Sequence, residues 1–187
     1  MKPTGPDITI ARKVGSAAAM KRLLGITKLA AYVGVPASTA KDRSAQLLGM
    51  AGPVKSKRRR AKLMKAAQSD VNNAELLFLF EHGSPGRGQP PRRVLGPAVS
   101  ADGNKQPIAR ELASSVKASM DGDRDKAVLG MKRAALAGQN AARKWFTDGR
   151  NGWAPNAEST IKAKGSDRPG IDTGAMRAAI IGIVGEE

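Results

Sequence analysis

The chain reads as an α+β domain: a small mixed or antiparallel β-sheet packed by about three α-helices, with long Gly/Pro-rich and basic loops. Three observations carry that reading. Segments 10–24, 108–120 and 127–145 place apolar residues at helical spacing. Short apolar runs at 28–36, 76–80 and 178–184 are bounded by Gly or Pro, as strands are. These elements do not alternate as βαβ units, which argues against a parallel sheet. A length of 187 residues suits one domain over 1–187, and 41% hydrophobic residues can supply its core. Only six aromatics are present (Tyr32, Phe78, Phe80, Trp145, Phe146 and Trp153), so the core rests on Ala, Leu, Ile, Val and Met.

In chain order, Pro6 and Asp7 open a helical repeat through Ile10, Val14, Ala17, Met20 and Leu24, with Gly25 as its stop. Residues 28–36 fit a strand or a helix. Residues 50–70 read as a basic loop insertion. Leu76, Leu77, Phe78, Leu79 and Phe80 form an apolar run that reads as a buried strand entering the turn Gly83-Ser84-Pro85-Gly86. Residues 83–97 are so rich in Gly and Pro that they predict an extended loop without ladders.

Ile108, Leu112, Val116 and Met120 repeat every four residues and predict a second helix. A third begins near Asp123, with Asp123 and Asp125 in its first turn and Arg143 and Lys144 in its last, the charge order that suits a helix dipole. Its face, Ala127, Met131, Ala134, Gly138, Ala141 and Trp145, is mostly small and reads as core in close contact with a sheet or helix. Gly149 to Gly152 ends it. A helical turn over 158–164, a loop over 165–170 and a final strand over 178–184 follow.

Composition closes off several chemistries. The chain has no Cys, so disulfides, zinc–thiolate sites, iron–sulfur clusters and cysteine nucleophiles are excluded. A single His, His82, excludes any site built on two histidines. No P-loop, metal-ligand cluster or nucleophile with an orienting base is recognisable. The expectation is a protein that is not an enzyme, with no catalytic residue, no metal and no cofactor. No run approaches the ~18 apolar residues of a membrane span, and the N-terminus lacks the apolar core of a signal peptide. A soluble protein of a reducing cytoplasm, with no membrane partner, is expected.

Charge is unevenly placed. Residues 1–93 hold 18 basic and 5 acidic side chains, or +13; residues 94–187 hold 14 and 11, or +3. Seven cations, Lys55, Lys57, Arg58, Arg59, Arg60, Lys62 and Lys65, fall within eleven residues that contain no acid. Such a block is either a solvated segment or a surface facing a polyanion. Contact with a polyanion would be sequence-blind and salt-sensitive, because it works by counterion release.

Two shorter motifs compete for residues in this frame. Residues 26–43 resemble a bacterial repressor helix-turn-helix, with Gly34 at the turn, Pro36 at a helix start and Ser38-Thr39 opening a recognition helix. The alternative is that 31–36 is strand, which Pro36 ends. Asp172-Thr173-Gly174 looks like the catalytic loop of retroviral-type aspartic proteases, but only 12 residues follow Ala175, too few for that fold. The competing reading is a turn in which Asp172 or Thr173 bonds local backbone N–H groups.

The remaining pattern spans two segments. Residues 73–85 (Asn73 and Glu75, the apolar run, then Glu81-His82-Gly83-Ser84-Pro85) and 89–98 (Gln89-Pro90-Pro91-Arg92-Arg93, then Val94 to Ala98) resemble the central signature of tail-completion, or virion morphogenesis, proteins of tailed bacteriophages. That family has an apolar strand, a His-Glu-x-Gly turn, an Ile-Pro-x-Arg-Pro loop and a helix. Trp153-Ala154-Pro155, residues 159–165 and residues 168–177 resemble its second signature: Trp-x-Pro, Thr-Ile-x-x-Lys-Gly and Asp-Thr-Gly before a last strand. A family strand ending Val-Gly-Val-Pro-Ala matches Val33 to Ala37. Each signature covers about 25 residues, in the family's order. The chain departs from the pattern in the reversed Glu81-His82, in Gln89 to Arg93 and in the 50–70 insertion.

The resemblance implies a structural virion protein of the phage neck or tail, made in the host cytoplasm. Its homo-oligomer would be a ring, commonly hexameric, at the head-proximal end of the tail. Tail-terminator and head-closure or connector proteins are its implied partners, with non-specific genomic double-stranded DNA in the channel. Lys55 to Lys65 are then candidates to face the DNA, and Arg87, Pro90, Pro91, Arg92 and Arg93 candidates for an inter-subunit loop.

Overall fold

The computed structural model describes residues 17–26, 28–36 and 43–186. In chain order the elements are α1 (Ala17–Ile26), β1 (Leu29–Gly34), α2 (Arg43–Ala51), α3 (Lys57–Ala67), α4 (Asn73–His82), α5 (Leu95–Ser100), α6 (Lys105–Met120), α7 (Arg124–Trp145), α8 (Glu158–Lys164), α9 (Ala175–Ala179) and β2 (Ile181–Glu186). Two 3-10 turns, Pro85–Arg87 and Gly149–Asn151, interrupt the loops. The fold is mixed helix and sheet, with nine α-helices and one two-stranded sheet among the described residues. The expected three helices undercount because most of the others run two or three turns, too short for a 3.6-residue period to declare itself.

The longest helix, α7, behaves as its sequence predicts. The Asp123 carboxylate caps it by accepting from the Lys126 N–H at 3.0 Å. Hydrogen bonds from Lys126 also hold that carboxyl below its usual range. Ala127, Met131, Ala134, Gly138, Ala141 and Trp145 are all buried, joined by Gly130, Ala135 and Ala142.

This small-residue face lets two backbones approach. At Gly130 the helix meets Ser115 of α6 so closely that a Cβ there would lie 2.8 Å from the Ser115 Cβ. The Ser115 hydroxyl donates to the Ala127 carbonyl at 2.6 Å. The sequence places the α6 contact face on Ile108, Leu112, Val116 and Met120. The helix is there, but Ser115 and Ser119 are its buried residues, and Val116 and Met120 are exposed. Close packing on Gly130 favours the small side chains over the apolar ones.

On a neighbouring face of α7 lies the sheet. β1 and β2 pair antiparallel, from Leu29 opposite Glu186 to Gly34 opposite Ile181. Leu29, Val33 and Val184 turn toward the helix and join the core. Tyr32 and Ile183, directly opposite each other, are 43% and 42% exposed on the outer face. Gly182 sits against the Ala135 carbonyl, and its N–H donates to Gln139 Oε1 at 2.9 Å.

Three buried clusters result. The largest gathers Leu77, Val94, Ala98, Ala142, Trp145, Phe146, Met176 and Ile180, uniting α4, α5, α7 and α9. A second joins α2 to α3 through Leu47, Ala51, Leu63 and Ala67, reaching Ala175. Ile26, Ala127 and Met131 form the third, beneath α1.

Several expectations change. β1 resolves the ambiguity at 28–36 in favour of strand, so the first helix of a helix-turn-helix does not form there. Residues 37–42, including Ser38 and Thr39, and the opening of the first helical repeat over 1–16 lie outside the described residues.

The 76–80 run is helix, not strand. Asn72 and Glu75 form a reciprocal capping box, and Gly83, at φ +75°, terminates the helix. A helix also buries Leu77 while turning Phe78 outward, which a strand buried on both faces would not do. The 50–70 basic segment is likewise helical over most of its length rather than a loop. Lys, Arg, Ala and Leu all favour helix, and Leu63 and Ala67 give α3 a buried seam.

Residues 83–94 are irregular, as Gly and Pro predict, with one bridge between Ser84 and Gln89; α5 begins at Leu95. The last strand starts at Ile181, not Ala178, because Ala178 and Ala179 complete α9. No helix among the described residues is long and apolar enough to cross a membrane.

Two glycine substitutions should move stability in opposite directions. In Gly182→Ala the new methyl would overlap the Ala135 carbonyl, a backbone group that cannot step aside. A loss of about 1–3 kcal/mol is expected, or roughly 2–12 °C in Tm. In Gly49→Ala, within α2, the methyl meets nothing within 4 Å and should add about 0.5–1 kcal/mol through helix propensity. Thermal denaturation followed by circular dichroism reads both.

Candidate polyanion-facing site

Positive charge gathers where α3 emerges from the α2–α3 hairpin. Pro53 and Gly52 turn the chain, and Ser56 caps α3 by accepting from the Arg59 N–H at 3.4 Å. Cations crowd the first turn, Lys57 to Arg60, where the helix dipole is positive and disfavours them. Burial of Leu63 against Leu47, with Ala67, opposes that cost.

The seven predicted cations divide by what they touch. Arg60 turns back to the end of α2, donating to the Ala51 carbonyl at 3.4 Å and the Gly52 carbonyl at 3.1 Å. Lys62 donates to the Lys164 carbonyl at 3.0 Å and forms an ion pair with Asp172. Lys55, Lys57, Arg58, Arg59 and Lys65 are exposed, and among the described residues no acidic side chain pairs with any of them. Arg58, Lys62 and Lys65 share one side of α3, spaced four and three residues apart.

The second predicted group, on the 83–97 loop, also divides. Arg87, Pro90, Pro91 and Arg93 are exposed. Arg92 is held within the chain: its guanidinium donates to the Ala154 carbonyl at 3.0 and 3.3 Å and to the Pro155 carbonyl at 3.3 Å, and lies 5.9 Å from the Phe80 ring centre. Trp153 answers by donating its indole N–H to the Arg93 carbonyl at 3.1 Å. Phe80 and Phe146 both meet the Trp153 ring edge-on, with centres 5.0 and 5.6 Å away. Gly170, at φ +70°, lies so near Phe80 and Phe146 that a Cβ would come within 2.6 Å of the Phe80 ring. The 73–98 and 153–177 segments are therefore one packed unit.

Three functional-looking residues acquire ordinary roles. His82 stacks on Phe78 at 4.2 Å, with its Nδ1 2.9 Å from the Phe78 carbonyl. Thr173 accepts from the Ala175 N–H at 3.2 Å, the local turn bond expected of it. Asp172 pairs with Lys62 instead of bonding local backbone.

Sequence reading overlooked Glu81, Arg43 and Lys164. Glu81 Oε1 accepts from the Val94 and Leu95 N–H groups at 2.9 and 2.7 Å, so a carboxylate on α4 caps α5. Nothing local marks that pairing, since it joins residues 13 and 14 positions apart. Arg43 donates to the Ala66 and Val71 carbonyls, both at 3.2 Å, and burial lowers its pKa against the pull of Asp172. Burial likewise pushes the Lys164 ammonium below its usual range; Asp172 opposes this, and Lys62 and Arg92 add to it. The stretch Asn72-x-x-Glu75 was the sequence signal that could have identified α4 as helix.

Among the described residues, no group of three or more His, Cys, Asp or Glu side chains is placed to hold a metal ion. Comparison of the chain with protein-family models, with curated proteins and with solved structures finds no match.

Substitutions should separate the anchored groups from the free ones. Glu81→Ala removes two charge-assisted bonds and should cost about 1.5–3 kcal/mol, while Glu81→Gln, which keeps a carbonyl acceptor, should recover part of it. Arg60→Ser should lower stability by about 1 kcal/mol, whereas Arg58→Ser should stay within about 0.5 kcal/mol of the parent. Urea unfolding midpoints read all four.

Proposed function

We propose that this chain is a structural, non-enzymatic component of the neck or tail of a tailed bacteriophage. In this reading it assembles as a hexameric ring at the head-proximal end of the tail and helps join tail to head around the DNA channel. Tail-terminator and head-closure or connector proteins are its neighbours.

The observation that carries the reading is the union of two sequence signatures some 60 residues apart. Arg92 and Trp153 exchange hydrogen bonds with each other's segments, and Phe80, Phe146, Trp153 and Gly170 close around one point. Residues resembling a family's two signatures should meet in space if the likeness is one of fold and not of chance composition. The strand over 29–34, preceding the first signature, fits the same pattern and leaves the helix-turn-helix alternative without its first helix.

Charge supports the placement. A chain at +16 needs an anionic counterpart, and six copies bring about forty positive charges from the Lys55 to Lys65 segment to one aperture. Duplex DNA would neutralise them without regard to sequence.

Two measurements test the reading together. Native mass spectrometry of the purified protein should show a closed oligomer, six chains being the expected number. Virions produced without the protein should contain filled heads lacking joined tails by electron microscopy. A monomer at micromolar concentration, together with normal virions in its absence, overturns the reading.

A further inference from the structure

Two depressions in the surface meet at Asp172. One is a cleft of about 370 Å³ between α4, α8 and the 83–94 loop, whose charged lining is Arg43, Arg87, Arg92 and Lys164. The other is a shallow groove of about 580 Å³ between α3 and α8, lined by Arg58, Lys62 and Lys65. Asp172 belongs to both walls and is the one acidic residue in either lining among the described residues.

Several of these cations are held by carbonyls, which leave their charge uncancelled. Arg92 is held by the Ala154 and Pro155 carbonyls, Arg43 by those of Ala66 and Val71, and Lys164 by that of Arg168 at 2.6 Å. A carbonyl positions a cation without neutralising it. Among the described residues, Arg87, Arg58 and Lys65 have no acidic partner. Seven described cations thus face one described carboxylate across two adjoining concavities, where low-dielectric walls focus the field.

We propose that this joined cleft and groove is a track for the phosphate backbone of duplex DNA, with Asp172 acting in the free protein as an internal substitute for one phosphate. The proposal rests on the DNA-facing part of the reading above and assigns it a place: the continuous line from Arg58 and Lys65 past Lys62 to Lys164, Arg92 and Arg87. Phosphate suits the site for three reasons. The cations line two depressions that share Asp172, so an extended strand carrying one charge per 3.4 Å can pass from one to the other. The Thr160, Thr173 and Asn156 side chains in the cleft add hydrogen-bond donors. No tryptophan or tyrosine lines either depression, and Phe80 is already packed against Phe146 and Trp153, so there is no platform for unpaired bases. On this account Lys55, Lys57, Arg59 and Arg60, of the seven, lie off the track, while Arg43, Arg87, Arg92 and Lys164 belong to it.

Fluorescence anisotropy of a 30-base-pair random-sequence duplex, titrated with the full chain across a salt series, tests the track. Asp172→Asn should bind about three- to tenfold tighter than the parent at low salt, because one repelling charge is removed from the path. The double variant Arg58→Gln, Arg87→Gln should bind more weakly, with a salt slope shallower by about two, since two phosphate contacts go. Lys132→Gln with Arg133→Gln, exposed on α7 away from the track, should change affinity less and serves as the control for net charge. Melting curves for each variant guard against a folding defect from loss of the Lys62 ion pair. If the parent binds no duplex at 50 mM salt, both the track and the DNA-facing reading fall. If the parent binds but responds to the α7 pair and not to Asp172 or Arg58 with Arg87, the track is wrong while DNA contact elsewhere stands. Polyglutamate binding more tightly than the duplex, with the track variants' pattern, would overturn the phosphate assignment in favour of an acidic protein.

Discussion

The approach of backbone to backbone along α7 is the contact on which the rest of the molecule depends. Gly130, Ala135 and Gly138 leave no side chain long enough to hold a neighbour away, so α6 lies against the first and the sheet against the other two. Close approach brings polar groups within reach, and they are used: Ser115 bonds the Ala127 carbonyl, and Gln139 bonds the Gly182 N–H. A two-stranded ribbon alone is marginal in water. Here it is stable because one face is applied to α7 through Val33 and Val184, with no gap for water between.

The far end of α7 serves a different purpose. Trp145 and Phe146 end the helix in the largest cluster, and around them close Leu77 of α4, Val94 and Ala98 next to α5, and Met176 and Ile180 from the C-terminal segment. The 83–94 loop owes its position to this cluster and to the Arg92 and Trp153 bonds, not to any regularity of its own. Stiffness at Pro and anchoring at both ends give an irregular segment a defined shape, the condition under which a loop can serve as an interface.

The basic hairpin of α2 and α3 is joined to this body by fewer contacts. Ala175 and the Lys62–Asp172 pair are the main ties, with Gln46 donating to the Ala175 carbonyl at 3.3 Å. The exposed ion pair contributes little to stability, of order 1 kcal/mol or less. Its larger consequence is electrostatic: one carboxylate sits at the convergence of α3, α8 and the cleft, where every other charged group among the described residues is positive.

Local sequence was enough to determine α7, since its cap, dipole charges and apolar spacing all lie within a few residues of one another, and to mark α6 and α8 as helical. It was enough to determine the irregular 83–94 loop too, where Pro removes donors and Gly permits positive φ. The charge asymmetry, and the likeness of the two signatures, also needed nothing beyond the linear chain. Tertiary structure added the one-sided burial of Leu76 to Phe80, for a run of bulky apolar residues suits either state and only the Asn72–Glu75 box ahead of it points to helix. The choice of Ser115 over Val116 as the buried side of α6 was decided in the same way, by the glycine opposite. The grouping of Arg43, Arg92, Lys164 and Lys62 around Asp172 was decided there as well. These residues come from five separate stretches of chain, and no local spacing encodes a meeting that depends on how the helices pack.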